Sequence, residues 1–339
     1  MMTATRSPVR IILVFFGIIF FAETLAQRTQ IRGFVDVNAR YENDKLNFGL
    51  GEQDLFITSE LNDDFSFLGE TVFRYSPNSD TPFEVSVERI IVTYNFKGNH
   101  NALIGKHHTP THYWNDTYHH GRVFFPTVDR PLIFAAATLP IHTTGVAVNG
   151  LNLGKLRWGY NFMVGNGIGS SDFLDNDKYK SITAALTMKP LERLQVGVSF
   201  YHDVISAGAE VHHGMVVDER INQQLYTATV ANFGKKFEFL AEGTLAMNDA
   251  ESTGKVNSLA MYAYTGWRLT DKWVPYVRFD LISYDDAEIY YDGNDRTSFL
   301  FGLRYEISYL IVVKMEYQVL DTEVSGSNNI VNAQIAIGF

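Results

Sequence analysis

The chain of 339 residues contains no cysteine. That absence excludes disulfides, thiolate-ligated zinc, iron–sulfur clusters, a thiol nucleophile and lipid attachment through a cysteine. Long hydrophobic runs are missing as well. The longest stretch free of Asp, Glu, Lys and Arg is 131–154. It is interrupted by Pro140, His142, Asn149 and several glycines, so it is not a membrane-spanning helix. Positive charge is scarce: 28 Lys and Arg stand against 38 Asp and Glu, for a net charge of -10, which argues against nucleic acid as a partner. Aromatic residues, in contrast, make up 14% of the chain, with 25 Phe and 18 Tyr, far more than a disordered chain carries.

Residues 1–26 read as a secretory signal peptide. Arg6 and Arg10 precede an apolar run of 12 residues at 11–22, and Thr24-Leu25-Ala26 offers a cleavage site before Gln27. Twelve apolar residues are too few to span a bilayer, which takes about 20. Removal of Arg6, Arg10 and Glu23 moves the net charge from -10 to -11. The expected mature chain, 27–339, is a single exported acidic domain.

Within it the dominant pattern has period two. Val331, Ala333, Ile335, Ile337 and Phe339 share one face of the last segment, while Asn332 and Gln334 point the other way. Phe299, Phe301, Leu303, Tyr305 and Ile307 alternate with Leu300, Gly302, Arg304 and Glu306. Strands are expected near 31–41, 52–61, 66–76, 83–96, 101–108, 143–150, 155–166 and 181–189. The second half continues near 193–203, 221–232, 236–248, 256–269, 273–283, 296–307, 310–321 and 329–339. Tight turns follow the even-numbered segments, and longer, polar, Gly- or Asp-rich connections follow the odd ones. Segments of about 10 residues with this rhythm suit tilted membrane strands with short periplasmic turns and long outer loops. A sheet in lipid tolerates no free edge. The expected fold is therefore all-β: a closed transmembrane antiparallel barrel, 16 strands preferred and 14–18 allowed, in the bacterial outer membrane and in contact with its lipid. Aromatics near strand ends, among them Tyr41, Tyr75, Phe83, Tyr94, Phe96, Trp158, Trp267, Trp273, Tyr284, Tyr309 and Phe339, fit interfacial girdles.

With the apolar face toward lipid, the opposite face lines the lumen. It carries seven acids (Asp36, Glu70, Glu238, Glu242, Asp280, Glu306, Glu316) and seven bases (Arg32, Arg40, Arg74, Lys106, Arg278, Arg304, Lys314). Charges at this density need water or mutual pairing. Roughly 16 strands enclose a lumen wide enough for water, so the expectation is a hydrated channel; the competing reading is a plugged barrel with its charges paired.

The longest connection, 108–142, follows Gly105-Lys106-His107-His108-Thr109-Pro110 and runs through Tyr113, Trp114, Asp116, Arg122, Asp129 and Arg130. A strand ending in Gly-Lys-x-x-Thr-Pro, followed by an aromatic loop, resembles the phosphate-selective porin O/P-like barrels of Gram-negative bacteria, of the Bacteroidota type. With the signal peptide, hairpin rhythm and terminal Phe339, the resemblance covers nearly the whole mature chain. It implies a loop that folds into the lumen and sets the constriction, a homotrimer, and recognition of the C-terminal strand ending at Phe339 by the barrel-assembly machinery. The sequence departs from the phosphate-selective pattern in one respect. Such pores draw anions with a ladder of lysines, yet no Lys occurs between His107 and His142; Arg122 and Arg130 are the only strong bases there.

Six of ten histidines cluster in this region. His107, His112, His119 and His120 are conceivable metal ligands, but their spacing matches no closed zinc motif, and Pro110 disfavours a helix that would align His108 with His112. The expectation is no metal and no cofactor. No G-x-S-x-G, H-E-x-x-H or phosphate-cradling glycine motif occurs, so no enzyme is expected. The sequence thus points to passive diffusion of small hydrophilic solutes or ions. The alternatives are a non-conducting binding or assembly barrel and, behind it, a barrel hydrolase.

Overall fold

Strands with one apolar and one polar face satisfy both only by closing on themselves, and the chain does so. The computed structural model describes residues 28–75, 83–119, 121–135, 139–168, 175, 177–211 and 215–339. The expected signal peptide, 1–26, and His120 lie outside the described residues. The first half contains β1 (Arg28–Glu42), β2 (Lys45–Glu60), β3 (Phe65–Tyr75), β4 (Phe83–Lys97), β5 (His100–His108), β6 (His142–Leu153), β7 (Trp158–Gly165), β8 (Ser181–Met188) and β9 (Leu194–Ile205). A small hairpin, β10 (Glu210–Val211) and β11 (Met215–Val216), precedes β12 (Ile221–Phe233), β13 (Phe237–Ala250) and β14 (Gly254–Trp267). Then come β15 (Trp273–Ser283), β16 (Arg296–Ser308), β17 (Ile311–Thr322) and β18 (Gly326–Gly338). Apart from the hairpin, these strands form one closed antiparallel barrel of 16, with β9 paired to β12 and β18 paired to β1.

The seam is made by the last residue. Gly33 and Phe339 exchange both backbone hydrogen bonds at 2.9 Å. The Phe339 ring lies so close over Gly33 that a Cβ there would come within 2.5 Å of it and 2.7 Å of the Asp54 carbonyl. Outside, the apolar face is bare: Leu46, Phe48 and Leu50 are 58%, 79% and 61% exposed. Aromatic rings stack along the end that carries the short turns, Phe65 on Tyr94 and Phe237 on Trp267. An outward apolar belt with aromatic rims on an edgeless sheet is the wall of an outer-membrane barrel. Among the described residues no helix is long and apolar enough to cross a membrane.

The alternation of short and long connections holds only in part. After β1, β13 and β17 the outer connections shrink to 43–44, 251–253 and 323–325, because the strands run on past the expected ends. Asn43 and Asp44, with φ of 51° and 59°, close β1 and β2 as a two-residue turn of the primed kind that matches strand twist. Tyr284 leaves the expected girdle: it is buried and stacks on Tyr291 in the outer connection 284–295.

Gly33→Ala is expected to cost about 1–3 kcal/mol by overpacking the seam and to lower the temperature at which the detergent-folded barrel unfolds on a gel. An unchanged midpoint would show that the closure tolerates a side chain there.

Candidate functional site

Segment 109–141 joins β5 to β6, and its backbone is bonded to the inner wall. A one-turn helix, Tyr113–Thr117, begins without a side-chain cap from His112. The orphan N–H groups of its first turn go instead to Glu242 on β13: Tyr113 N–H reaches Oε1 at 2.6 Å and Trp114 N–H reaches Oε2 at 3.1 Å. The same carboxylate accepts from Thr229 at 2.7 Å and Tyr262 at 2.5 Å. Farther along, Val128 N–H donates to Glu316 at 2.6 Å and Leu132 N–H to Asp280 at 3.0 Å. Cations on the wall take the carbonyls. Lys314 Nζ donates to the oxygens of Arg122 and Thr127 at 2.6 and 3.0 Å. Arg278 donates to the Asp129 oxygen at 2.8 Å, and Arg304 to the Pro126 oxygen at 3.1 Å. These bonds are charge-assisted, the strong class, and they recur between Tyr113 and Leu132.

Apolar packing completes the attachment. Trp114, Phe125, Ile133 and Leu139 are buried against the wall cluster of Tyr201, Leu240, Tyr262, Tyr264, Tyr276 and Leu300. Each such side chain contributes about 1.5–3 kcal/mol when removed from water. Trp114 meets Tyr262 edge-on at 6.0 Å. Phe124 lies 5.4 Å from both Phe34 and Tyr309, so the loop extends to the end of the barrel that carries the 309–310 turn. The barrel's hydrophobic core is therefore inside it, between the loop and β12–β18.

Of the charges assigned to the lumen by alternation, Asp36, Glu70, Lys106, Glu238, Glu242, Arg278, Asp280, Arg304, Lys314 and Glu316 are buried. Most are engaged rather than facing open water. Arg304 grips Glu238 at 2.8 and 2.9 Å, Arg278 holds Asp280 at 2.9 Å, and Glu70 is paired with Arg89. Lys106 Nζ donates to the Val87 carbonyl at 2.7 Å. Arg40, Arg74 and Glu306 pair with Glu42, Glu52 and Arg268 at 2.7, 2.8 and 2.9 Å, and exposed Arg32 bonds Gln30. Alternation missed Glu52, Glu88 and Arg89. Register shifts between Val35 and Val37, and between Glu70 and Thr71, put an extra residue on β2 and on β4, and parity fails at such bulges.

On the loop, Arg122 pairs with Asp129 at 2.8 Å and lies 3.6 Å from Glu52 and 3.9 Å from Asp36. Burial alone would lower its guanidinium, but Glu52, Asp129 and Asp36 outweigh burial and raise it. Arg130 is lowered by burial to about 10 and stays cationic at neutral pH. Arg130 shares a cleft with Arg40, Glu52, Asp129 and Gln318. Tyr113 and the exposed Asp116 face a second opening, lined on the wall by Asn149, Asn161, Thr187, Gln195, Ser199 and Thr229. Among the described residues, the candidate ligands His107, His112 and His119 do not come together. His107 is buried in β5, and His112 bonds Thr244 at 2.8 Å and is held neutral by burial, its imidazole lowered to about 3. His119 turns toward His108 and His142.

No protein-family model and no curated protein match the chain. Solved structures do. OmpT of Vibrio cholerae, an outer-membrane protein in its trimer form, is 14% identical, with a TM-score of 0.64 over 93% of this chain and 100% of that one. The anion-selective porin from Comamonas acidovorans is 12% identical, with a TM-score of 0.66 over 92% and 100%. The outer-membrane channel DcaP of Acinetobacter baumannii is 14% identical, with a TM-score of 0.63 over 94% and 99%. The chain has the barrel fold of outer-membrane porins and channels.

Two predictions concern the loop's attachment. Glu242→Ala strands two buried N–H groups, at about 1–3 kcal/mol each, and should let trypsin cut at Arg122 or Arg130 in an intact barrel that resists it in the parent. Resistance in both would show that Glu242 does not hold the loop. Between about pH 3 and 6.5, His112 is protonated when the loop is free and neutral when it is docked. Docking therefore weakens as pH falls from about 6.5 toward about 3. His112→Gln, which keeps a partner for Thr244, should flatten that part of the pH dependence of trypsin resistance.

Proposed function

We propose that the chain is an outer-membrane channel for passive diffusion of small hydrophilic solutes or ions, with segment 109–141 as its constriction. The carrying observation is incomplete filling: the loop packs against the wall, yet two openings with polar groups in their linings remain beside it. One is the charged cleft of Arg40, Glu52, Asp129 and Arg130. The other is the uncharged face of β6–β9, where Asn101 on β5 also donates to Asn149 at 3.0 Å. A neutral hydrogen-bonding wall suits uncharged hydrophilic solutes, and the opposed charges at the other edge orient ions. Phosphate selectivity gains no support: Lys106 and Lys314 spend their ammonium groups on backbone carbonyls and form no anion ladder.

A homotrimer belongs to the same reading, supported by the trimer form of the similar OmpT structure, as does delivery by the assembly machinery through Phe339. The second reading, a non-conducting binding barrel, is favoured by the extensive hydrogen-bonded contact between loop and wall. Planar-bilayer recording separates them. Discrete conductance steps are expected, and a folded barrel that gives none at any voltage or salt supports the non-conducting class. Replacing the chain between Tyr113 and Leu139 by a short Gly/Ser linker should raise single-channel conductance roughly twofold or more, as the open cross-section grows. Arg130→Gln, which leaves the packing in place, should shift the reversal potential in a salt gradient toward cations. No change in either variant would remove the loop from the conduction path.

A further inference from the structure

Three imidazoles converge where the inward loop leaves the wall and where it returns. His108 ends β5, His142 opens β6, and the two face each other across the ladder. His119 comes back to them from beyond the one-turn helix. Its Nε2 lies 2.8 Å from His142 Nε2. Glu88 Oε2 lies 3.2 Å from His142 Nε2 and 4.0 Å from His119 Nε2. One ligand atom from each of the three histidines falls within 4.8 Å of the others. Tetrahedral zinc, at about 2.0–2.1 Å from each nitrogen, sets its ligand atoms about 3.3 Å apart, and the observed spacings bracket that value.

The surroundings prepare His119 as a ligand. Asn115 donates its amide to the Thr109 and Ile141 carbonyls at 3.1 and 2.9 Å, which fixes its oxygen toward His119 Nδ1 at 3.0 Å. The proton of His119 is therefore on Nδ1, and Nε2 presents its lone pair to the cluster. A carbonyl behind the ring is the usual outer partner of a metal-bound histidine. His119 also holds φ at 37°, a left-handed conformation that costs a non-glycine residue energy and here turns its backbone back toward the wall.

We propose that His108, His119 and His142 bind a divalent transition metal of the zinc class, with Glu88 at the edge of the cluster beside His142. Three neutral imidazole nitrogens suit such ions and not calcium or magnesium. The bound ion ties the loop to β5 and β6 at once, on the wall opposite the Glu242, Asp280 and Glu316 attachments. It clips the loop at its neck. Of the three described histidines that the sequence suggested, His107, His112 and His119, only His119 takes part.

The test uses the full folded chain in detergent after chelator treatment, titrated with Co²⁺ and then with Zn²⁺. One equivalent of Co²⁺ should bind with the intense visible bands of tetrahedral coordination and be displaced by Zn²⁺. His119→Ala and His142→Ala should each abolish those bands. His100→Ala and His202→Ala, whose imidazoles bond Tyr160 and the Gln223 carbonyl elsewhere in the barrel, should leave them intact. Asn115→Ala should weaken binding about 10–100-fold, the usual loss for an outer partner. Heat-shifted gel mobility confirms that each variant is folded. The proposal is overturned if the folded parent takes up no stoichiometric metal, or if uptake survives in both His119→Ala and His142→Ala. Because binding is read without conductance, either result leaves the channel reading as it stands.

Discussion

Irregular backbone cannot lie at bilayer depth unless every N–H and C=O on it finds a partner. That requirement governs the inside of this barrel. Segment 109–141 has little regular structure to bond itself, so the wall supplies charge of the correct sign at each place. Carboxylates on β13, β15 and β17 take N–H groups, and cations on β15, β16 and β17 take carbonyls. The dependence is mutual. A buried carboxylate such as Glu242 carries a desolvation cost of several kcal/mol, offset here by two loop N–H groups and two hydroxyls. Without the loop, the wall would hold stranded charges; without the wall charges, the loop would hold unbonded peptide groups.

The barrel itself was legible because its physics is local. A strand with lipid on one side and a polar lumen on the other must alternate, and Val331 to Phe339 does so without interruption. The ends of strands were not legible, since nothing in the alternation marks where the bilayer stops. Leu46, Phe48 and Leu50 continue the pattern of β1's partner strand beyond the expected start at 52, and the turn at Asn43-Asp44 lacks the glycine that usually announces such a hairpin. Likewise 249–250 and 254–255, read as connection, extend the ladder between β13 and β14.

The candidate site was legible by half. Parity named the buried wall charges, since a side chain's face depends only on its own strand. Several of their partners lie on a loop whose path no period describes, so alternation shows the charge on the lumen wall but not the peptide groups that part of it bonds. Bulges explain the omissions. At β4 two residues, Glu88 and Arg89, oppose one on β3, and counting by two assigns one of them to the wrong side. The histidine cluster draws on positions 108, 119 and 142, whose spacing carries no signal; only the return of the loop to the β5–β6 ladder brings them together.

Dividing the lumen this way assigns different tasks to different arcs of one sheet. The arc from β12 to β18 is rich in tyrosine and charge, and it is occupied in holding the loop still. Around the second opening, the wall of β6 to β9 presents Asn149, Asn161, Thr187, Gln195 and Ser199, neutral groups that bond water as readily as each other, while Glu88, Arg89 and Lys106 stand beyond them on β4 and β5. A wall of neutral dipoles exerts little net field, so it cannot itself sort ions by sign. Opposed charges gather at the loop's edge on the first opening, where Arg122, Arg130 and Asp129 of the loop share a cleft with Glu52 and Arg122 approaches Asp36. Because Arg122 is fixed by Asp129 and stacks over Phe125 at 5.4 Å, that edge is as rigid as the packing behind it. In the proposed channel, the charged edge of the loop is positioned both by its backbone bonds to the wall and by the buried side chains behind it.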